Sequence, residues 1–116
     1  MAREKLNVES KAEALLSEIA QVLRKIPYPC HAATHLEKCG NSVNFNLAEG
    51  IAAFKPKVKA AKYDITRCEA SELMKATRAL VIQRRLTDED VAKIDDLSDY
   101  LIAAMTKMIK NLEHRM

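Results

Sequence analysis

Along most of the chain the apolar residues recur at intervals of three and four, the spacing that gathers them on one face of an α-helix. Ala12, Leu15, Leu16, Ile19, Val22, Leu23 and Ile26 keep this spacing, with Glu, Lys, Ser and Gln between them. They predict an amphipathic first helix over about 8–25. "IPYPC", Ile26 to Cys30, ends it, because proline lacks the backbone donor and biases the residue before it away from α geometry.

A second helix is expected over about 31–49, with Gly40 as an internal weak point worth up to ~1 kcal/mol relative to alanine. Gly50 is the expected terminator, since glycine accepts a left-handed C-terminal conformation. "GIAAFKP" then connects to a third helix over about 56–85, and Pro56 suits its first turn. The expected buried stripe of that helix is Val58, Ala61, Ile65, Cys68 or Glu69, Glu72, Ala76 and Ala79 or Leu80. Thr87 with Asp90 three residues on, beside Asp88 and Glu89, is the signal for a helix start. The final helix has the most regular pattern, Val91, Ile94, Leu97, Leu101, Met105, Met108 and Leu112, ending in Lys107, Lys110, His114 and Arg115.

Four helices joined by short connections pack most simply as an antiparallel up-down bundle. The 116 residues fit one domain, and nearly half of them are apolar. Five aromatics, two glycines and three prolines argue against a turn-rich β-fold. The fold class is therefore all-α, with a single four-helix domain over residues 1–116. No apolar run approaches the ~18 residues of a membrane span, and "MAREKLNVESKAEALL" lacks the apolar core of a signal peptide. A cytoplasmic protein is the expectation, with no membrane partner. Three cysteines without a C-x-x-C pair, Cys30, Cys39 and Cys68, read as reduced thiols.

The net charge of +3 conceals a segregation. Residues 51–86 carry nine basic and three acidic side chains, whereas residues 87–116 carry four and seven. An anionic partner, RNA or DNA, would meet the middle of the chain. Lys55, Lys59 and Lys62 stand at i, i+4 and i+7 with Lys57 nearby, a spacing that could reach successive phosphates. Arg67, Lys75, Arg78, Arg84 and Arg85 continue the bias. Without an aromatic platform or recognition helix in the pattern, non-specific backbone contact is the expectation.

"NFNLAEG", Asn44 to Gly50, places polar groups beside a core stripe. Leu36, Cys39, Val43, Asn46 and Gly50 fall roughly in line, so Asn46 stands where an apolar residue was expected. Ser42, Asn46 and Glu49 share one face at i, i+4 and i+7, and Glu72 is expected to face them from the third helix. Buried polar groups need partners, so this cluster is expected to fix helix packing or subunit register. A catalytic reading finds a carboxylate in Glu49 or Glu72 but no nucleophile or oriented histidine. A di-iron site needs Glu-x-x-His, and none of His31, His35 or His114 has Glu three residues earlier. His31, His35 and Cys39 are spaced i, i+4 and i+8, too far along one helix to converge on one ion. No metal and no cofactor are expected.

"SVNFNLAEG" (Ser42 to Gly50), the Glu72–Leu73 pair and "RRLTDED" before the last helix resemble the bacterial four-helix bundle family, also called the ribosomal RNA intervening-sequence protein family. The resemblance spans about residues 36–112. The family motif reads close to Ser-Ile-Pro-x-Asn-Ile-Ala-Glu-Gly, which Ser42, Val43, Asn46, Leu47, Ala48, Glu49 and Gly50 match. Asn44 replaces the usual proline, Glu37 a common basic residue, and Cys68 with Glu69 the usual Gly-Ser. What the resemblance implies is an up-down bundle assembled into a ring-like homo-oligomer, a pentamer, without enzymatic activity. It is similar also to an accessory protein of diversity-generating retroelements that is associated with nucleic acid. The expected function is a scaffold or binding module for RNA or DNA. The alternative is a protein-binding adaptor using an apolar groove or the acidic start of helix four, "TDEDVAKIDDLSD".

Overall fold

The computed structural model describes residues 6–26 and 30–116. Four helices, α1 (Asn7–Leu23), α2 (His31–Ala52), α3 (Pro56–Ile82) and α4 (Asp88–Glu113), form an up-down bundle of 46 × 29 × 21 Å. Each helix packs on two neighbours in a closed square: α1 and α3 both lie between α2 and α4. Part of the predicted first turn, residues 27–29, lies outside the described residues.

Local chemistry sets the helix starts. Thr87 accepts a bond from the Asp90 N–H at 3.1 Å, and the Asp90 carboxylate accepts from the Thr87 N–H at 2.8 Å. This reciprocal cap is the one the sequence predicts. At α1 the Glu9 carboxylate accepts from the Leu6 N–H at 3.0 Å. Pro56 opens α3 as expected.

The α3–α4 turn departs from the commonest chemistry. Arg84 adopts a left-handed backbone with φ 60, the conformation usually given to glycine at this position. The Arg84 N–H reaches the Val81 carbonyl at 2.9 Å and the Arg85 N–H the Leu80 carbonyl at 3.0 Å, closing the end of the helix.

The core is built from Leu15 and Ile19 of α1, Leu36, Val43 and Leu47 of α2, Leu73 and Leu80 of α3, and Ile94, Leu101 and Met105 of α4, all fully buried. Two expectations need correction. In α2 the core position falls to Leu47, and Asn46 is only half-buried beside it. Helix α2 continues to Ala52, so Gly50 does not terminate it; a Cβ at Gly50 would come within 2.7 Å of the Tyr63 ring, which makes its role one of close approach. Gly40, the expected weak point inside α2, is buried against Ile19 of α1, so it too serves a close approach of helices.

The largest difference is in α3. Its buried face is Tyr63, Thr66, Ala70, Leu73, Ala76, Thr77 and Leu80, shifted round the helix from the expected stripe. Val58, Ala61, Ile65, Cys68 and Glu72 are exposed. Small residues on the inner face let α3 lie close to α2 and α4, and the two threonines satisfy themselves. Thr66 donates to the Lys62 carbonyl at 2.9 Å, and Thr77 lies 2.8 Å from both the Met74 carbonyl and the Asp95 carboxylate. Hydropathy alone chose the more aliphatic face, while packing chose the smaller one.

Candidate assembly and binding surfaces

The family-motif residues lie along the α2–α3 edge, but they do not gather into one cluster. Asn46 donates within its own helix, to the Ser42 carbonyl at 2.9 Å and the Ser42 hydroxyl at 3.0 Å. Glu49 pairs across to Lys62 of α3 at 3.3 Å. Glu72, expected to join them, instead faces His35 at 3.6 Å, nearer the opposite end of α2. Antiparallel helices make this unavoidable, because positions matched at one end diverge along the chain.

Within Asn44 to Gly50 the asparagine that bridges helices is Asn44, which stands where the resembled motif has proline. Its amide donates to the Ala12 carbonyl of α1 at 2.9 Å and to the Gly40 carbonyl at 3.0 Å. The signal for it was present in its spacing, four residues after a glycine that allows α1 and α2 to approach.

At the start of α2 the His31 and His35 rings stack, with centroids 6.4 Å apart. His35 Nε2 also lies 3.6 Å from Cys39 Sγ. Burial, reinforced by the carboxylates of Glu69 and Glu72, pushes the Cys39 thiol up to about 12. It is held protonated and is no nucleophile at neutral pH. Among the described residues no group of three or more His, Cys, Asp or Glu side chains converges as metal ligands. A groove of about 210 Å³ lies here, lined by His31, His35, Glu72 and Ala76. A second, of about 410 Å³, lies between the end of α1 and the start of α4, lined by Glu18, Lys25, Asp90 and Lys93.

The basic side chains wind around α3 instead of forming one row. Lys59 turns back on α2, its ammonium donating to the Gly50 and Ile51 carbonyls at 3.1 and 2.8 Å. That cation satisfies orphan carbonyls at a helix C-terminus. Lys62 pairs with Glu49, and Arg67 binds Asp64 and, at 3.4 Å, the Thr106 hydroxyl of α4. Lys75 and Arg78 lie at the surface near Glu72 (3.9 Å) and Asp88 (3.6 Å), pairs worth little in water. Arg84 and Arg85 sit on the α3–α4 turn, where Arg85 donates to Gln83 at 3.2 Å. Lys55 and Lys57 are exposed at the α2–α3 connection.

Apolar groups complete the picture of the surface. Phe45 of α2 is 69% exposed, and Val58 and Ile65 of α3 are each 42% exposed. With Ala61 and Cys68 the α3 residues keep the alternation of four and three that builds a helix–helix seam. Phe54, in the connection, is 95% exposed. On α4 the first half presents Asp88, Glu89, Asp96 and Asp99 outward. Asp95, half-buried, has its carboxyl raised by burial, with the Thr77 hydroxyl opposing that shift. Among the described residues no helix is long and apolar enough to cross a membrane.

Fold and surfaces together define an all-α, up-down four-helix bundle. A crystal structure of a protein of unknown function from the S23 ribosomal protein family of Bacteroides thetaiotaomicron VPI-5482 is similar to it, with a TM-score of 0.83 at 19% identity, over 89% of this chain and 98% of that one. At that identity the likeness establishes the fold. No family model matches the chain, and no curated protein matches it.

Proposed function

We propose that the protein is a non-enzymatic scaffold that assembles into a ring-like homo-oligomer and contacts RNA or DNA through a repeated cationic surface. The observation that carries it is the exposed row on α3, where Val58 and Ile65 stand in water in the single chain, with Phe45 exposed on α2. A row with helix–helix spacing on an outer face calls for another helix. The motif resemblance supports a ring of five copies and a place in the ribosomal RNA intervening-sequence family. The cationic excess of residues 51–86 supports the polyanion, since every copy repeats it.

Light scattering of the purified protein at ~0.15 M salt, alone and with mixed short RNA and DNA, tests both parts. A mass of about five chains that rises with nucleic acid is the expected result, and a monomer at all concentrations would end the assembly reading. A protein-binding adaptor is the second reading, favoured by the outward carboxylates of α4. It predicts a protein partner whose capture survives nuclease and fades with salt.

A further inference from the structure

The up-down topology brings three segments distant in sequence to one end of the bundle: the α2–α3 connection, the last turns of α4 and the first turn of α1. The Arg67–Thr106 contact fixes the register of α3 on α4. Ten residues back from Arg67 is Lys57, and nine on from Thr106 is Arg115, so the two stand at about one level. Lys110 is likewise level with the second turn of α3. Lys55, Lys57, Lys110 and Arg115 are all exposed. Among the described residues, Glu9, Glu49 and Glu113 are the carboxylates in the first turn of α1 and the last turns of α2 and α4, Glu49 being paired with Lys62, against Lys55, Lys57, Lys59, Lys62, Lys110 and Arg115, leaving this end positive.

Within that cationic end stands Phe54, almost fully in solvent. The connection is only three residues long, and its flanking positions Ala53 and Lys55 are extended, with ψ of 145 and 129. Phe54 belongs to neither helix, unlike Phe45, Val58 and Ile65, which lie along the side of the bundle. An aromatic ring presented between cations is the elementary unit of single-strand recognition. A base stacks on the ring while phosphates on either side meet ammonium or guanidinium groups. A duplex keeps its base faces covered and cannot use the ring.

We propose that this end of the bundle binds single-stranded nucleic acid, with Phe54 as the stacking platform and Lys55, Lys57, Lys110 and Arg115 as phosphate contacts. This rests on the nucleic-acid reading above and adds the site and the strand preference. The charge favours a polyanion over an apolar protein groove, and a lone ring is too small an apolar anchor to hold a membrane stably.

The experiment is fluorescence anisotropy with a labelled mixed-sequence oligonucleotide of about twelve nucleotides, single-stranded and as a duplex, at ~50 mM salt. Wild type, Phe54→Ala and Lys57→Ala are compared, with each variant's mass taken by light scattering. The single strand is expected to bind more tightly than the duplex. Phe54→Ala should weaken single-strand binding about tenfold with an unchanged salt slope and an unchanged oligomer mass. Lys57→Ala should lower the log–log salt slope by about 0.7. If wild type binds neither form, the nucleic-acid reading itself falls. If wild type binds but Phe54→Ala binds as well, or the duplex competes equally, only the stacking site falls. Loss of the oligomer in Phe54→Ala would place the ring in a subunit interface and overturn the proposal. Capture of wild type but not Phe54→Ala by anionic phospholipid vesicles, without oligonucleotide binding, would overturn it in favour of a membrane surface.

Discussion

The Tyr63 ring of α3 lies directly over the backbone of Gly50 in α2, leaving no room for a methyl group: a Cβ there would meet Cε1 at 2.7 Å and Cδ1 at 2.9 Å. Two effects oppose each other in Gly50→Ala. Alanine gains about 1 kcal/mol in intrinsic helix preference, and overpacking against a buried ring costs about 1–3 kcal/mol. Tyr63 is only 4% exposed and cannot swing aside, so net destabilisation of about 1 kcal/mol is expected. Gly40→Ala meets only the terminal Cδ1 of Ile19, at 2.6 Å, the far end of an aliphatic side chain instead of a ring, and should be destabilised less than Gly50→Ala. Urea denaturation of the two variants side by side measures the difference, and equal midpoints would remove the steric role of Gly50.

Asn44 and Asn46 separate cleanly. Asn44→Ala leaves the Ala12 carbonyl without its cross-helix donor and should lose about 1–2 kcal/mol. Asn46→Leu breaks only bonds within α2, so the monomer fold should tolerate it. A change of oligomer mass in Asn46→Leu, seen by light scattering, would assign that side chain to subunit register; an unchanged mass would leave it with no role in assembly.

Arg84 holds a left-handed backbone that a side chain disfavours by roughly 1–2 kcal/mol. Glycine regains part of this, less its greater freedom in the unfolded chain. Arg84→Gly should therefore raise stability by about 0.5–1 kcal/mol. A lower melting temperature for this variant would mean that the arginine side chain holds the turn.

The Asp90 carboxyl, hydrogen-bonded by Lys25 at 2.6 Å and by the Thr87 N–H, is lowered from 3.8 to about 2. Its folded value lies below its unfolded one, so the contribution is complete above pH ~4 and is lost as the pH falls toward ~2. The melting-temperature gap between wild type and Asp90→Asn should shrink over that window. A constant gap would show that the cap works through geometry alone.

Cys68 is exposed and Cys39 is buried with its thiol raised. Under native conditions at pH 8, iodoacetamide should label Cys68 well ahead of Cys39, with Cys39 reacting only on unfolding. Peptide mass mapping reads the order. Early Cys39 labelling would show that the α2–α3 edge opens readily.

The sequence was legible where burial and hydropathy agree. Val91, Ile94, Leu101 and Met105 of α4 and Leu15 and Ile19 of α1 are both aliphatic and buried, and Thr87 and Asp90 announce a cap that is a purely local structure. Legibility failed where packing asks for small volume. Thr66, Ala70 and Thr77 form the inner face of α3, yet they are less apolar than Val58 and Ile65 outside. The candidate site suffered from the same cause: charge spacing marked Lys59 and Lys62 for a ligand, but α2 takes both. Phe54 had no periodicity to reveal it, and its significance comes only from the end of the bundle where the topology sets it.

The side of α2 that meets α3 is fastened at several levels, by Lys59 on the Gly50 and Ile51 carbonyls, Glu49 with Lys62, Gly50 under Tyr63 and His35 near Glu72. The three-residue connection also makes closure of this pair cheap in chain entropy. The consequence is a hierarchy of opening. Helices α2 and α3 are expected to form a cooperative hairpin whose amide protons exchange last, and α1, held to α2 by the Asn44 bond and to α4 by Lys25–Asp90 and Asn7–Tyr100, is expected to open first, beneath the threshold of global unfolding.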